Sequence, residues 1–107
     1  MLESTAEGKK TAIIAYITLV GTVIAMFMNS EQKNSFASFH IRQALGIFLT
    51  FFLLGYFIGY FDSWSVTMAF WIFIFLLWLY GFLSALQGHS KPVPLVGDFY
   101  QRTFKNF

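Results

Sequence analysis

The stretch IRQALGIFLTFFLLGYFIGYFDSWSVTMAFWIFIFLLWLYGFLSAL, residues 41–86, decides the fold. Past Arg42 its only charged residue is Asp62. Two apolar runs, about 41–61 and about 64–86, flank the pair Asp62-Ser63. Coiled as helices at about 1.5 Å per residue, each is about 30 Å long, the thickness of a hydrocarbon core. Lipid offers no partners for the edges of open strands, so runs of this kind must be helices. A two-residue joint between long helices makes them an antiparallel hairpin. Asp62 or Ser63 is suited to cap the second of them by accepting from its free N–H groups.

Outward from this core, a third apolar run extends from Ala12 to Met28 without a charge. Its 17 residues give about 26 Å as a helix. Lys9-Lys10 before it resemble the head of a secretory signal, but Ala25-Met26-Phe27-Met28 lacks a small-residue cleavage site, so the run reads as an uncleaved span. Residues 1–10 read as an exposed polar tail, and 29–40 as the one substantial polar loop. Gly88 ends the third span, and Pro92 and Pro94 keep it from resuming. Beyond them Val96, Phe99, Tyr100, Thr103, Phe104 and Phe107 recur at spacings of three and four, with Asp98, Gln101, Arg102 and Lys105 opposite. That pattern predicts an amphipathic helix over about 95–106, lying in the membrane interface. Asp98 near its start and Lys105 near its end suit the helix dipole. The expectation is an all-α integral membrane protein. A single domain, 1–107, carries spans at about 12–28, 41–61 and 64–86 and a C-terminal interfacial helix.

Composition agrees. Of the residues 57% are hydrophobic and 11% charged, with 15 Phe, 5 Tyr and 3 Trp. A water-soluble domain of this size exposes too large a share of its surface to hide that much apolar side chain. The net charge is +2 and no basic run exceeds two residues, which excludes a nucleic-acid patch. Cysteine is absent, which excludes disulfides and thiolate chemistry. With three spans, Lys9 and Lys10 flank one side of the membrane, and Lys33, Arg42, Lys91, Arg102 and Lys105 the other. The positive-inside rule then puts the C-terminus in the cytoplasm and the N-terminus outside, against the pull of Lys9-Lys10.

Chemistry-bearing groups are sparse. No acid or base lies inside a span, whereas ion-coupled carriers use buried ionisable groups as relays. Arg42 stands at the entry of the second span, where it can snorkel. His40 and His89 lack tight ligand spacing and read as interfacial polar residues rather than metal ligands. No Ser–His–carboxylate arrangement is evident, and no cofactor is implied. Small residues are spaced for helix contact: Gly55 and Gly59 in the second span, Gly21 and Ala25 in the first, Gly81 and Ala85 in the third.

Two segments are more specific. One is the F-x-x-F-H-x-R-Q-A-L run Phe36–Leu45. The other is the P-x-P-L-x-G-D run that follows Gly88-His89, from Pro92 to Asp98. Together they resemble a family of small bacterial membrane proteins related to the polytopic Tic-twenty subunit of the chloroplast inner-envelope import translocon. The resemblance marks His40, Gln43, Pro94 and Gly97. His40 and Gln43 share a helix face and could bond the Gly88–Gly97 turn. Small size, packing motifs, aromatic surface and the absence of catalytic groups, together with the resemblance, point to a non-enzymatic accessory or scaffold subunit of a larger membrane complex. The resemblance implies the link to protein translocation. The partners expected are the bilayer and other membrane subunits. The plastid protein has four spans against three expected here. Residues 1–10 also lack the character of a transit peptide, which points to a bacterial cytoplasmic membrane. The competing reading is a homo-oligomeric pore, for which Thr18, Thr22, Thr50 and Thr67 are the candidate polar lining.

Overall fold

The computed structural model describes residues 2–105, with side chains from Gly8 onward. The described residues form five helices: α1 (Leu2–Ile17), α2 (Leu19–Gln32), α3 (Ser35–Ile58), α4 (Trp64–Leu86) and α5 (Gly97–Thr103). Two of them, α3 and α4, are long and apolar enough to cross a membrane. They form the hairpin read from residues 41–86, but α3 stops at Ile58, not 61, so the joint is the five residues 59–63 rather than Asp62-Ser63 alone. α3 begins six residues earlier than expected, because Asn34 caps it by accepting from the Ala37 N–H at 2.9 Å. Ser63 caps α4, accepting from the Val66 N–H at 3.3 Å. α4 ends at Leu86 and is stopped by Gly88, whose φ of 76° suits glycine. The Gly88 N–H bonds Ala85 O and the His89 N–H bonds Ser84 O, the paired bonds of a Schellman stop.

The run at 12–28 is not one span. It breaks at Thr18, whose backbone is extended, and the chain doubles back. Gly21 faces the Ile14 carbonyl so closely that a Cβ there would overlap it. Thr11 Oγ1 donates to Gln32 Oε1 at 3.3 Å, and Gly8 lies against the Asn34 side chain and the Ala37 N–H. α1 and α2 are therefore the arms of an antiparallel helical hairpin, of 16 and 14 residues. Residues 29–40 are correspondingly not a loop. α2 continues to Gln32, Lys33 turns the chain in the left-handed region (φ 49°), and α3 starts at once. The buried Asn29 side chain clamps this corner, accepting from the Asn34 N–H and donating to Ser38 Oγ and Asn34 O.

A helix break among apolar neighbours exposes carbonyls that must find donors. Here each has one. Thr22 Oγ1 donates to Ala15 O at 2.7 Å and to Thr18 O at 3.2 Å. Trp78 Nε1 donates to Tyr16 O at 2.6 Å. The Gly21 N–H is taken by Thr18 Oγ1 at 3.1 Å. The tip of the hairpin reaches the level of Ile47, Phe48 and Ile74, about midway along α3 and α4. Below it the two long helices stand alone, touching through Phe51 stacked on Phe70 and through Gly55, which leaves room for the Phe70 ring. Gly59 caps α3 and faces open space beyond its own helix.

The C-terminal helix is shorter than 95–106 and is packed on protein. Val93 is buried, and Gly97 lies so close to Pro92 that a Cβ would meet the ring carbon at 2.6 Å. α5 then sets the Tyr100 ring over Gly46, with its hydroxyl 2.5 Å from Thr50 Oγ1. Phe99 and Leu95 point away from the protein, while Phe104 packs against the core. Position 106 and Phe107 lie outside the described residues, as do the side chains of 1–7. The hairpin also gathers the charge. Lys9, Lys10, Lys33, Arg42, Lys91, Arg102 and Lys105, the whole basic complement, fall at the end that holds the Asn34 corner and α5. Asp62 sits at the other.

Replacing Trp78 by Phe keeps a ring but leaves the Tyr16 carbonyl without its donor. This variant should lose about 1–3 kcal/mol of stability. Equilibrium unfolding in mild detergent measures it, and an unchanged midpoint would show that the break does not depend on this bond.

Candidate functional site

α1, α3 and α4 meet at the charged end around four buried polar side chains: Tyr16, His40, Gln43 and Ser84. α3 supplies His40 and Gln43, three apart and thus on one face. α1 supplies Tyr16, and the last turn of α4 supplies Ser84. Gly81 makes the room, since a Cβ there would sit 2.9 Å from the Tyr16 ring and 3.2 Å from Gln43 Nε2.

The hydrogen bonds admit one assignment. His40 Nε2 lies 2.7 Å from the His89 carbonyl, which can only accept, so Nε2 carries the proton. Nδ1 is then an acceptor and takes the Tyr16 hydroxyl proton at 2.6 Å. The Tyr16 oxygen accepts in turn from Gln43 Nε2 at 3.0 Å. The same amide nitrogen reaches Lys91 O at 3.3 Å, and Gln43 Oε1 accepts from the Val93 N–H at 2.7 Å. Ser84 Oγ donates to His89 O at 2.8 Å and accepts from the Lys91 N–H at 3.4 Å. Phe36, Phe39 and Tyr16 set ring edges around the imidazole. The network ties three helices to residues 89–93, and its side-chain groups are occupied in doing so.

The other residues marked in the sequence lie around this centre or apart from it. His89 contributes its carbonyl and leaves its ring exposed, so the two histidines do not form a pair of ligands. Among the described residues no group of three or more His, Asp and Glu is placed to hold a metal. Arg42 does not snorkel freely: it donates to Gln101 Oε1 at 3.4 Å and Lys105 O at 3.1 Å, holding α5 on α3. Gln101 Nε2 adds a bond to Phe39 O at 2.9 Å. Pro92 and Gly97 shape the turn beside Val93. Pro94 lies against the outer face of α4 near Tyr80 and Leu83, and Asp98 is exposed in the first turn of α5. Gly55 and Gly59 are at the far end of the bundle. The four threonines share no face: Thr18 and Thr22 serve the hairpin break, Thr50 meets Tyr100, and Thr67 lines a cleft between α3 and α4 near their joint. The sequence reading did not single out Tyr16, Trp78 or Ser84 for the site. A tyrosine in the middle of an otherwise apolar run was the one available sign of the first.

The chain is similar to a UPF0132 membrane protein of Methanocaldococcus jannaschii, with 26% identity over 84 residues. The match covers 77% of this chain and spans about 60% of the relative's length. Together with the two long apolar helices, the likeness makes this a membrane protein. No family model matches the chain, and no solved structure does.

Tyr16→Phe and Gln43→Leu each strip a partner from the same buried bond. Each should destabilise by about 1–3 kcal/mol. Because they share that bond, the double variant should fall short of the sum by at least about 0.5 kcal/mol. Strict additivity in detergent unfolding would mean that the two groups do not interact.

Proposed function

We propose that this chain is a non-enzymatic accessory or scaffold subunit of a larger membrane assembly, set in a bacterial cytoplasmic membrane with both ends on the cytoplasmic side. The observation that carries the reading is the use of the buried polar groups. Tyr16, His40, Gln43 and Ser84 are engaged in fixing helices to the 89–93 turn, which is the work of a scaffold. A second feature supports it. The short hairpin leaves an aromatic wall on the lower halves of α3 and α4, with Phe52, Tyr56, Phe57, Trp71 and Phe75 all exposed. Lipid alone does not call for that many rings, and a neighbouring subunit has use for them. The link to protein translocation rests on the resemblance carried by Phe36–Leu45 and Pro92–Asp98.

The orientation follows from charge. With the first apolar run folded back, all the basic residues stand on one side, and Asp62 alone marks the joint on the other. The conflict that Lys9-Lys10 posed for three spans disappears, and the positive-inside rule assigns that side to the cytoplasm.

Single-cysteine labelling is clean here because the chain has no cysteine. In intact cells an impermeant maleimide should label Asp62→Cys and spare Lys10→Cys and Lys105→Cys until the membrane is opened. Labelling of Lys10→Cys together with Asp62→Cys would restore a through-going first span. Affinity capture of the tagged chain in mild detergent should recover a larger membrane complex in fixed proportion. Recovery of the chain with itself alone would sink the accessory reading and direct effort to liposome conductance.

A further inference from the structure

Between α2 and the head of α3, at the charged end, lies a cleft of about 450 Å³ that has no part in the buried network. Lys33, Arg42 and Lys105 line it together with Asn29, Ser30 and Ser38, and among the described residues none that lines it is acidic. Three of the chain's seven Lys and Arg thus share one cleft. Among the described residues their charge has no counter-ion there. The Arg42 guanidinium meets only neutral acceptors, Gln101 Oε1 and Lys105 O. Its Nε is buried and has no hydrogen-bond partner. A buried, unspent guanidinium N–H is costly unless something occupies it. The polar residues are also arranged to give. Ser38 Oγ accepts from Asn29 Nδ2 at 2.7 Å, which leaves its own proton to donate. The volume is far beyond the roughly 30 Å³ share of one water.

We propose that this cleft binds a phosphate-bearing anion. The guanidinium fork suits tetrahedral oxyanions, and two ammonium groups add point charge beside it. At a membrane surface the anion has two sources, the headgroup of an acidic lipid or a soluble phosphate. Basic recesses between membrane helices on the cytoplasmic side take the first in general. The binding is independent of the scaffold reading, since it requires no partner subunit.

The test uses the full chain, purified and delipidated in a neutral detergent. Native mass spectrometry is run with equal phosphatidylglycerol and phosphatidylcholine, and thermal unfolding with millimolar inorganic phosphate. The expected result is a preference for phosphatidylglycerol of about tenfold, the equivalent of three screened contacts of modest strength. Lys33→Gln removes a charge from the cleft without touching the bonds of Arg42 to α5, and should cut the preference at least fivefold. Lys91→Gln lies on the same side but outside the cleft, and should leave the preference as it was. No lipid preference, together with a phosphate-induced rise in melting temperature that Lys33→Gln abolishes, would assign the same cleft to a soluble anion. The proposal is overturned by the absence of both effects. It is equally overturned if Lys91→Gln lowers the preference as much as Lys33→Gln, which would mark general surface charge.

Discussion

Tyr16 is held at both ends, and the rest of the molecule depends on it. Its carbonyl, freed by the helix break, is taken by the indole of Trp78 on α4. Its hydroxyl, on the other side of the residue, is fixed between His40 and Gln43 on α3. One residue of α1 thus joins both long helices. Away from water an unmet carbonyl costs several kcal/mol, so the chain can turn back only where such donors stand ready. The turn at Thr18 and the buried network at the charged end are two parts of one arrangement.

From that arrangement the remaining architecture follows. Because α1 is anchored beside His40, α2 must return along α3, and the Asn29–Asn34 corner brings Lys33 next to Arg42. The same imidazole and amide hold residues 89–93, so α5 lands across the upper turns of α3 with Tyr100 over Gly46. Packing, charge placement and the basic cleft all stem from how the apolar chain satisfies its own backbone.

The two long apolar helices within residues 41–86 are legible because their information is local, although the ends of α3, at Ser35 and Ile58, are not. Length, absence of charge and the Ser63 cap identify two spans without reference to anything distant. The Gly88 stop was visible for the same reason. Residues 12–28 carry the same local signal whether they cross the bilayer or fold back in it. What decides is Trp78, 62 positions away, and the small size of Gly21 against Ile14. In sequence Thr18 and Thr22 read as pore lining, since a hydroxyl aimed at its own backbone is indistinguishable there from one aimed at water. The Phe periodicity overstates the reach of the final helix because it runs past the places where contact sets the ends. Leu95 is in the left-handed region and Gly97 abuts Pro92, so the helix starts late. At the site, His40 and Gln43 stood out through the resemblance, whereas Tyr16 and Ser84 are ordinary residues until the fold brings them together.

The half-height hairpin gives the molecule unequal girth. Set in a bilayer, four helices would occupy the leaflet on the charged side and two the other. At about 10 Å per helix diameter, the cross-sectional area differs about twofold between the leaflets. Such a body is a wedge. It is accommodated with least strain where the charged-side leaflet is expanded relative to the other, so membrane curvature itself would bias where this protein gathers.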